Sequence, residues 1–331
     1  MDRSYIYGFP FLIYLGKFDM PKTKTFKYQN KTIRLYPPFL GKQYQQSNAS
    51  QFDPATIPFN SVSKKINNIR FLKNQVDTFN QEIVNVSNCL RVDVLNIGKN
   101  EDQHKLVETL ISQILSHIRT ECNQWEIGSK EFFGGFYIGH FESNERGDQN
   151  SEIIYCLPFH THPRGDILTE AIWSNIVQKI QLNEEPNIVK TLILDSYNFL
   201  VNKYYPRMVL SLTWAIEIYR DQIIEIIWTN MGKTEGFKRG KILTGNNLTD
   251  HIDFNLKNLC GESFKETNEN DFKVISNLWQ IRNNVAHGKS PFYFENKDKI
   301  EVSEGNAIIF YESTQACINW LFSLSRKNVH T

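Results

Sequence analysis

The chain has 331 residues, enough for two ordinary domains, and its 37 Lys and Arg nearly balance 36 Asp and Glu to give a net charge of +1. With that balance, the overall charge of the chain does not identify a partner. The five scattered cysteines, without a Cys-x-x-Cys pair, argue against a disulfide framework or a cysteine zinc site and predict a reducing, cytoplasmic location. The apolar N-terminal run YIYGFPFLIYLG is too short to span a membrane, so no membrane contact is expected.

Charge is unevenly distributed along the first half of the chain. Residues 1–75 hold 12 Lys and Arg against 3 Asp and Glu, together with 14 of the 43 aromatic residues, whereas residues 76–186 hold 8 basic against 17 acidic residues. Basic residues among aromatic ones suit nucleic acid, because cations follow phosphates and rings stack on unpaired bases. An aromatic β core with a basic rim gives the same pattern, and both interpretations stay open.

Residues 1–186 are predicted to form a mixed α/β domain with a sensor, binding or regulatory role. A ligand or a protein that binds this domain is a possible trigger. Strands are predicted at FPFLIYL, TFKYQNKTIRLYPP and CLRVDVLNI, with a polar, turn-rich loop at residues 41–63. Asn100 is the predicted N-cap of a helix with apolar residues at helical spacing up to about residue 124. GGFYIGHFES and EIIYCLPFHTH indicate two further strands.

Strand signals nearly vanish after Thr169, so residues 187–331 are predicted to form an all-α helical domain, with a boundary between residues 168 and 190. The fold class is therefore α+β. Pro206 is placed in the first turn of a helix of about 24 residues. This apolar segment is interrupted by charges typical of an amphipathic helix in water, namely Glu217, Arg220, Asp221 and Glu225. Later helices are predicted near residues 248–260 and 269–287, then a hairpin or extended segment at 292–311 and a terminal helix.

The stretch LWQIRNNVAHGKSPFYF, residues 278–294, places an Arg, two Asn and a His at the end of a helix. Gly288 is expected to end that helix in a left-handed conformation, and Pro291 prevents its continuation. Arg282 and His287 lie about 140° apart on an ideal helix, whereas Asn283 and His287 share a face. The alternative interpretation is an ordinary polar helix end.

These side chains suit the cleavage of a phosphodiester in RNA. Arg282 offers a planar, permanently charged fork that matches a phosphate, and His287 can move a proton near neutral pH. Asn283 is a candidate to orient the imidazole or to bind the phosphate. One His cannot be both acid and base in a single in-line step, so two copies across a two-fold axis are expected.

RNNVAHG, at the end of a late helix, resembles the HEPN family, whose ribonucleases carry an Arg-x(4–6)-His motif. The residues from 187 to 227, with a helical Glu217, look like the family's two long antiparallel helices. The resemblance covers roughly residues 187–331 and implies a HEPN-like bundle, a homodimer with a composite cleft, and metal-independent cleavage that leaves 2′,3′-cyclic phosphate and 5′-OH ends. By residue match, Arg282, Asn283 and His287 take the motif positions.

The resemblance also leaves open a non-catalytic module that binds nucleotide or protein, because some family members bind without cutting. A toxin or antiphage defence setting follows from the same analogy. Lys238, Arg239, Lys241 and Lys289 are candidates to hold the RNA backbone, or they are ordinary solvated cations. No cofactor is expected.

A second candidate site lies in PFHTHPRGD, residues 158–166. His160 and His162 would point to one side of a strand, as two metal ligands should. HTHP looks like the His-x-His-Pro of JAMM-type metalloproteases, but Trp173 stands near where that family needs an Asp. Asp166 or Glu142 would have to complete another site. A polar connection between strand and helix is the simpler interpretation, with a metalloenzyme as the alternative.

Overall fold

In the computed structural model, the described residues are 3–15, 19, 21–38, 85–98, 103–125, 127, 140–143, 166–232 and 247–329. The chain divides into two units, residues 1–186 and residues 187–331. The first combines an antiparallel sheet with helices, and the second is mainly helical. The predicted α+β fold class is thereby confirmed.

The described strands of the first unit are β1 Arg3–Leu15, β2 Lys24–Tyr28, β3 Lys31–Leu35, β4 Asn85–Leu95 and β5 His140–Ser143. They form one antiparallel sheet in the order β2-β3-β4-β1-β5. Strands β2 and β3 form a hairpin through Gln29 and Asn30, whose positive φ angles of 44° and 65° match the right-handed twist of the paired strands. Buried residues alternate with more exposed ones along this hairpin, as at Ile33 and Leu35.

Helices α1 (His104–Glu121) and α2 (Glu170–Gln181) complete the core of the first unit. The apolar residues of α1 recur at helical spacing, as predicted, and most of them are buried. The prediction that Asn100 caps this helix was wrong, because the helix begins at His104 and its N-cap is Gln103. The backbone N–H of this N-cap residue donates to the hydroxyl of Tyr5 at 3.2 Å, which ties the start of the helix to a distant part of the chain.

The described helices of the second unit are α3 Ile188–Val201, α4 Tyr205–Asn230, α5 Leu248–Asp250, α6 Leu256–Cys260, α7 Phe264–Thr267, α8 Glu269–Ala286 and α9 Glu304–Val329. They pack together, with α4 in contact with α3, α8 and α9. Asn187 caps α3 by accepting a hydrogen bond from the N–H of Lys190, and Pro206 lies in the first turn of α4, as predicted.

Two predictions for the second unit need correction. The helix expected near residues 248–260 is interrupted by a π-helical turn, His251–Asn255, between α5 and α6. The segment at 292–311 is a hairpin only in its first half, with β6 (Phe292–Glu295) and β7 (Asp298–Glu301), because α9 already begins at Glu304. The unit is therefore not purely helical.

Candidate active site

The candidate site lies at the C-terminal end of α8, where the helix stops as the sequence predicts. His287 is the C-cap residue, and its backbone N–H donates to the carbonyl oxygens of Asn283 and Asn284, both at 3.2 Å. Gly288 follows with a φ of +74°, and its N–H donates to the carbonyl of Val285 at 2.9 Å. This left-handed residue turns the chain out of the helix and leaves the side chain of His287 exposed at its end.

The hairpin that follows is anchored to the same helix. Nδ2 of Asn284 donates to the carbonyl oxygen of Phe292 at 2.8 Å, and Oε1 of Gln280 accepts from the N–H of Phe294 at 3.4 Å. The chain after Gly288 therefore returns along α8. His287 lies where a short link, residues 288–291, leaves the helix for the first strand of the hairpin.

A cavity of about 710 Å³ opens between α4, the residue before α5 and the last turns of α8. The three motif residues all line it. Because Arg282 is long and His287 lies where the helix ends, both reach one pocket despite their separation on an ideal helix. The full lining is Glu217, Ile218, Asp221, Asn247, Trp279, Arg282, Asn283 and His287.

Arg282 is oriented by an aromatic ring and an amide. Its guanidinium carbon lies 4.8 Å from the centre of the Trp279 ring, a cation–π distance, and its Nη1 donates to Oδ1 of Asn283 at 3.3 Å. Trp279 is fixed in turn by a hydrogen bond from its Nε1 to Oδ1 of Asn247, at 3.3 Å. Among the described residues, Nε of Arg282 is buried without an acceptor and the guanidinium forms no ion pair.

The side-chain amide of Asn283 hydrogen-bonds the guanidinium of Arg282 and not the imidazole of His287. Within the described part of the chain, the His287 imidazole has no hydrogen-bond partner. The pocket thus presents an accessible imidazole and a cationic guanidinium held by neutral groups. This pair suits an anionic ligand that has a proton to give or to take.

The pocket also has an acidic side, which sequence reasoning largely missed. Glu217 and Asp221 lie one helical turn apart on α4 and both line the cavity. Asp221 Oδ1 accepts hydrogen bonds from Nε and Nη2 of Arg220, at 2.8 and 2.6 Å. Arg220 is fully buried, and its Nη1 lies 2.7 Å from Nδ1 of His251. The available signal was the spacing of two carboxylates by four residues, next to an Arg within an apolar segment.

Among the described residues, none of the cationic candidates for RNA binding lines this pocket. Lys289 is exposed, and its backbone N–H donates to the carbonyl of Asn284 at 2.9 Å, but it does not line the cavity. Lys238, Arg239 and Lys241 lie outside the described residues. Their predicted contact with an RNA backbone stays a prediction.

The metal-site candidates His160 and His162 also lie outside the described residues. Asp166, considered as a completing ligand, accepts a hydrogen bond from Nδ2 of Asn123 at 2.9 Å. Trp173 is a fully buried core residue whose Nε1 donates to the carbonyl of Lys22 at 2.9 Å. Glu142 lies in β5. In the described ranges, no cluster of three or more His, Cys, Asp or Glu has the arrangement of a metal site.

No family model, curated protein or solved structure matches the chain. None of the helices described above combines the length and the hydropathy that crossing a lipid bilayer requires.

Proposed function

We propose that the chain is a metal-independent endoribonuclease that acts as a HEPN-type homodimer and leaves 2′,3′-cyclic phosphate and 5′-OH ends. The observation that carries the proposal is that Arg282, Asn283 and His287 line one cavity. The guanidinium has no ion-pair partner among the described residues, and the imidazole is exposed. A guanidinium without an ion-pair partner is suited to bind a phosphate, and an exposed imidazole is suited to transfer a proton.

In the proposed reaction, Arg282 binds the scissile phosphate and stabilises the negative charge that grows on its oxygens. The 2′-hydroxyl attacks the phosphorus while its proton passes to a base, and the leaving 5′-oxygen receives a proton from an acid. His287 supplies one of these two roles. Asn283 keeps Arg282 in place through the hydrogen bond to its Nη1.

A second copy of the chain would supply the other imidazole. The described pocket contains one histidine, and a single imidazole cannot act as acid and base in the same in-line step. Trp214 is 46% exposed and lies four residues before Ile218 on α4, a spacing that puts both on one face of the helix. An exposed Trp on this face supports a dimer that forms through α4 and brings two pockets together.

The proposal places the enzyme in the cytoplasm, in a toxin or antiphage defence setting, with residues 1–186 as the sensor of a trigger. Its setting and its trigger come from the family analogy. RNA is the proposed partner, and Lys289 together with Lys238, Arg239 and Lys241 is proposed to follow the RNA backbone.

The test is cleavage of RNA by the purified full chain in EDTA, comparing wild type with His287→Ala and Arg282→Ala. Lys273→Ala is the matched control, because Lys273 is exposed on the same helix and pairs with Glu269 across one turn. We expect wild type and the control to cut, leaving cyclic phosphate ends, and both motif variants to be inactive. Equal cleavage by His287→Ala would refute the proposal.

Expression in cells covers the case in which the purified protein lacks its trigger. A toxic wild type beside a harmless His287→Ala variant would support the nuclease. The alternative is a module that binds nucleotides without cutting them, and the single imidazole of the described pocket favours it. If wild type and His287→Ala are equally harmless and neither cuts RNA, this alternative replaces the nuclease.

A further inference from the structure

Two carboxylates of the candidate pocket have no role in the proposed cleavage. Glu217 and Asp221 line the same cavity as Arg282 and His287, although a carboxylate repels a phosphate at short range. A pocket that binds only a phosphate gains nothing from them. They are suited to a different part of the same ligand, one that presents hydrogen-bond donors.

Asp221 is held in position by buried groups. Its Oδ1 accepts two hydrogen bonds from Arg220, whose side chain is fully buried. Nη1 of Arg220 also lies 2.7 Å from Nδ1 of His251. Burying a guanidinium is expensive unless its partners are well placed. The side chain of Asp221 nevertheless stays 34% exposed at the wall of the cavity. The buried Arg therefore fixes a carboxylate that remains accessible from the pocket.

Glu217 lies one turn earlier on α4 and is half-buried. Within the described residues, its carboxylate has no hydrogen-bond donor and no cation as a partner. A half-buried carboxylate has lost part of its hydration and gains from donors that a ligand brings. Both of its oxygens are available to a ligand with two adjacent N–H groups.

Trp279 provides the aromatic surface of the cavity, and Arg282 stacks on it at 4.8 Å. Unpaired bases in RNA recognition stack on aromatic rings and on guanidinium planes and are read through the hydrogen bonds of their edges. The cavity volume of about 710 Å³ lies within the range of small-molecule sites and is enough for one nucleotide.

We propose that this pocket selects a guanylate residue, with the guanine base read by Glu217 beside the fixed Asp221, and with the phosphate on Arg282. Guanine presents two adjacent donors, N1–H and the N2 amino group, which match the two oxygens of a carboxylate. In adenine and cytosine the amino donor stands next to an acceptor nitrogen on the same edge of the base. Uracil has a single N–H donor between two carbonyl acceptors. The inference rests on the proposed function for its RNA substrate class.

The experiment is calorimetric titration of the full-length protein, in EDTA, with the 5′-monophosphates of guanosine, adenosine, cytidine and uridine. We expect wild type to bind guanosine monophosphate about 10-fold or more tightly than adenosine monophosphate, as for a good bidentate base contact. Glu217→Gln should remove or invert that ratio, because a glutamine amide pairs with adenine. Glu225→Gln, an exposed carboxylate two turns further along α4, should keep the guanylate preference.

A second arm identifies the source of the guanylate. Single-stranded oligouridylate decamers with one central guanosine or one central adenosine are titrated into His287→Ala, which does not alter Glu217. Tighter binding of the guanosine decamer than of the free monophosphate assigns an RNA residue, and the reverse order assigns a free guanine nucleotide. No preference for guanosine monophosphate in wild type, or an unchanged ratio in Glu217→Gln, overturns the inference.

The outcome is distinguishable from failure of the proposed function. Selective guanylate binding without cleavage, together with equally harmless wild type and His287→Ala in cells, would refute the nuclease and keep the guanine site. Cleavage in EDTA with no preference for guanosine would keep the nuclease and refute the guanine site.

Discussion

Nη1 of Arg220 and Nδ1 of His251 lie 2.7 Å apart in the helical unit, where Arg220 is 0% and His251 is 4% exposed. A guanidinium has donors only, so Nδ1 of His251 must accept. His251 is therefore neutral, with its proton on Nε2. Arg220 joins two separate segments, the middle of α4 and the π-helical turn.

Loss of this acceptor is expected to destabilise the helical unit. His251→Leu removes the acceptor that Nδ1 offers to the buried Nη1 of Arg220, and we expect the free energy of unfolding to fall by about 1–3 kcal/mol. His251→Asn places an amide oxygen near the position of Nδ1 and should lose less. Urea denaturation followed by fluorescence measures both, and equal losses in the two variants would contradict the assigned hydrogen bond.

Trp279 is expected to position Arg282 through its ring and not through its indole N–H alone. Trp279→Ala removes the stacking surface, and we expect RNA cleavage or binding to fall about 10-fold, the equivalent of a cation–π contact of roughly 1–2 kcal/mol. Trp279→Phe keeps a ring but loses the bond to Asn247, and should retain most activity. A larger loss in the Phe variant than in the Ala variant would contradict this role.

Gly288 is expected to be costly to replace because of its backbone and not its surroundings. A Cβ at Gly288 meets no atom within 4 Å, but its φ of +74° is unfavourable for alanine, so Gly288→Ala should cost about 1–2 kcal/mol of stability. Gly305 also has open space around its Cβ, and it lies in α9 without a positive φ. Gly305→Ala should therefore stabilise by a few tenths to about 1 kcal/mol. Thermal unfolding of both variants tests this difference in sign.

His117 is expected to make the first unit sensitive to acid. Burial lowers the pKa of His117, which is 1% exposed, and its Nε2 donates to the carbonyl of Glu184 at 3.0 Å. The unfolded chain then binds a proton more readily than the folded one. Stability is full above the ordinary histidine pKa of about 6.5 and is lost as the pH falls below it, by at most about 1.4 kcal/mol per pH unit.

His117→Gln is the matched variant, since its amide N–H can reach the same carbonyl without titrating. Urea midpoints measured between pH 7.5 and 5 should fall more steeply in wild type than in His117→Gln. Because the other histidines are common to both proteins, the difference in slope belongs to His117. Parallel curves would contradict the assignment of a buried, neutral imidazole.

Local patterns were sufficient for much of the fold. Alternation in KTIRL, a helical repeat in α1 and Pro206 in the first turn of α4 each depend on neighbours in sequence, and the corresponding elements are present. The end of α8 at Gly288 was predictable for the same reason. The start of α1 was not, because its position involves Tyr5, 98 residues earlier in the chain.

The candidate site was only partly predictable. Arg282, Asn283 and His287 stand close together in sequence, and their common pocket follows from where the helix ends. Arg220 has the spacing of a solvated charge in an amphipathic helix, yet it is fully buried. Its burial depends on His251, 31 residues away in a π-helical turn that no local pattern indicates. The periodicity of a sequence does not predict a buried charge whose partner lies this far along the chain.

The hairpin beside α8 has one segment in which an inserted residue would break contacts and another in which it would not. Asn284 hydrogen-bonds the carbonyl of Phe292, and the carbonyl of Pro291 accepts from the N–H of Val302 at 3.0 Å. Residues 288–291 are therefore held at both ends. The tip is different, because Asn296 and Lys297 form an exposed two-residue turn with φ angles of 49° and 75°. We expect a peptide tag or a whole reporter domain to be accommodated between Asn296 and Lys297, whereas one extra residue between Gly288 and Phe292 should break the hydrogen bond from Asn284 to Phe292.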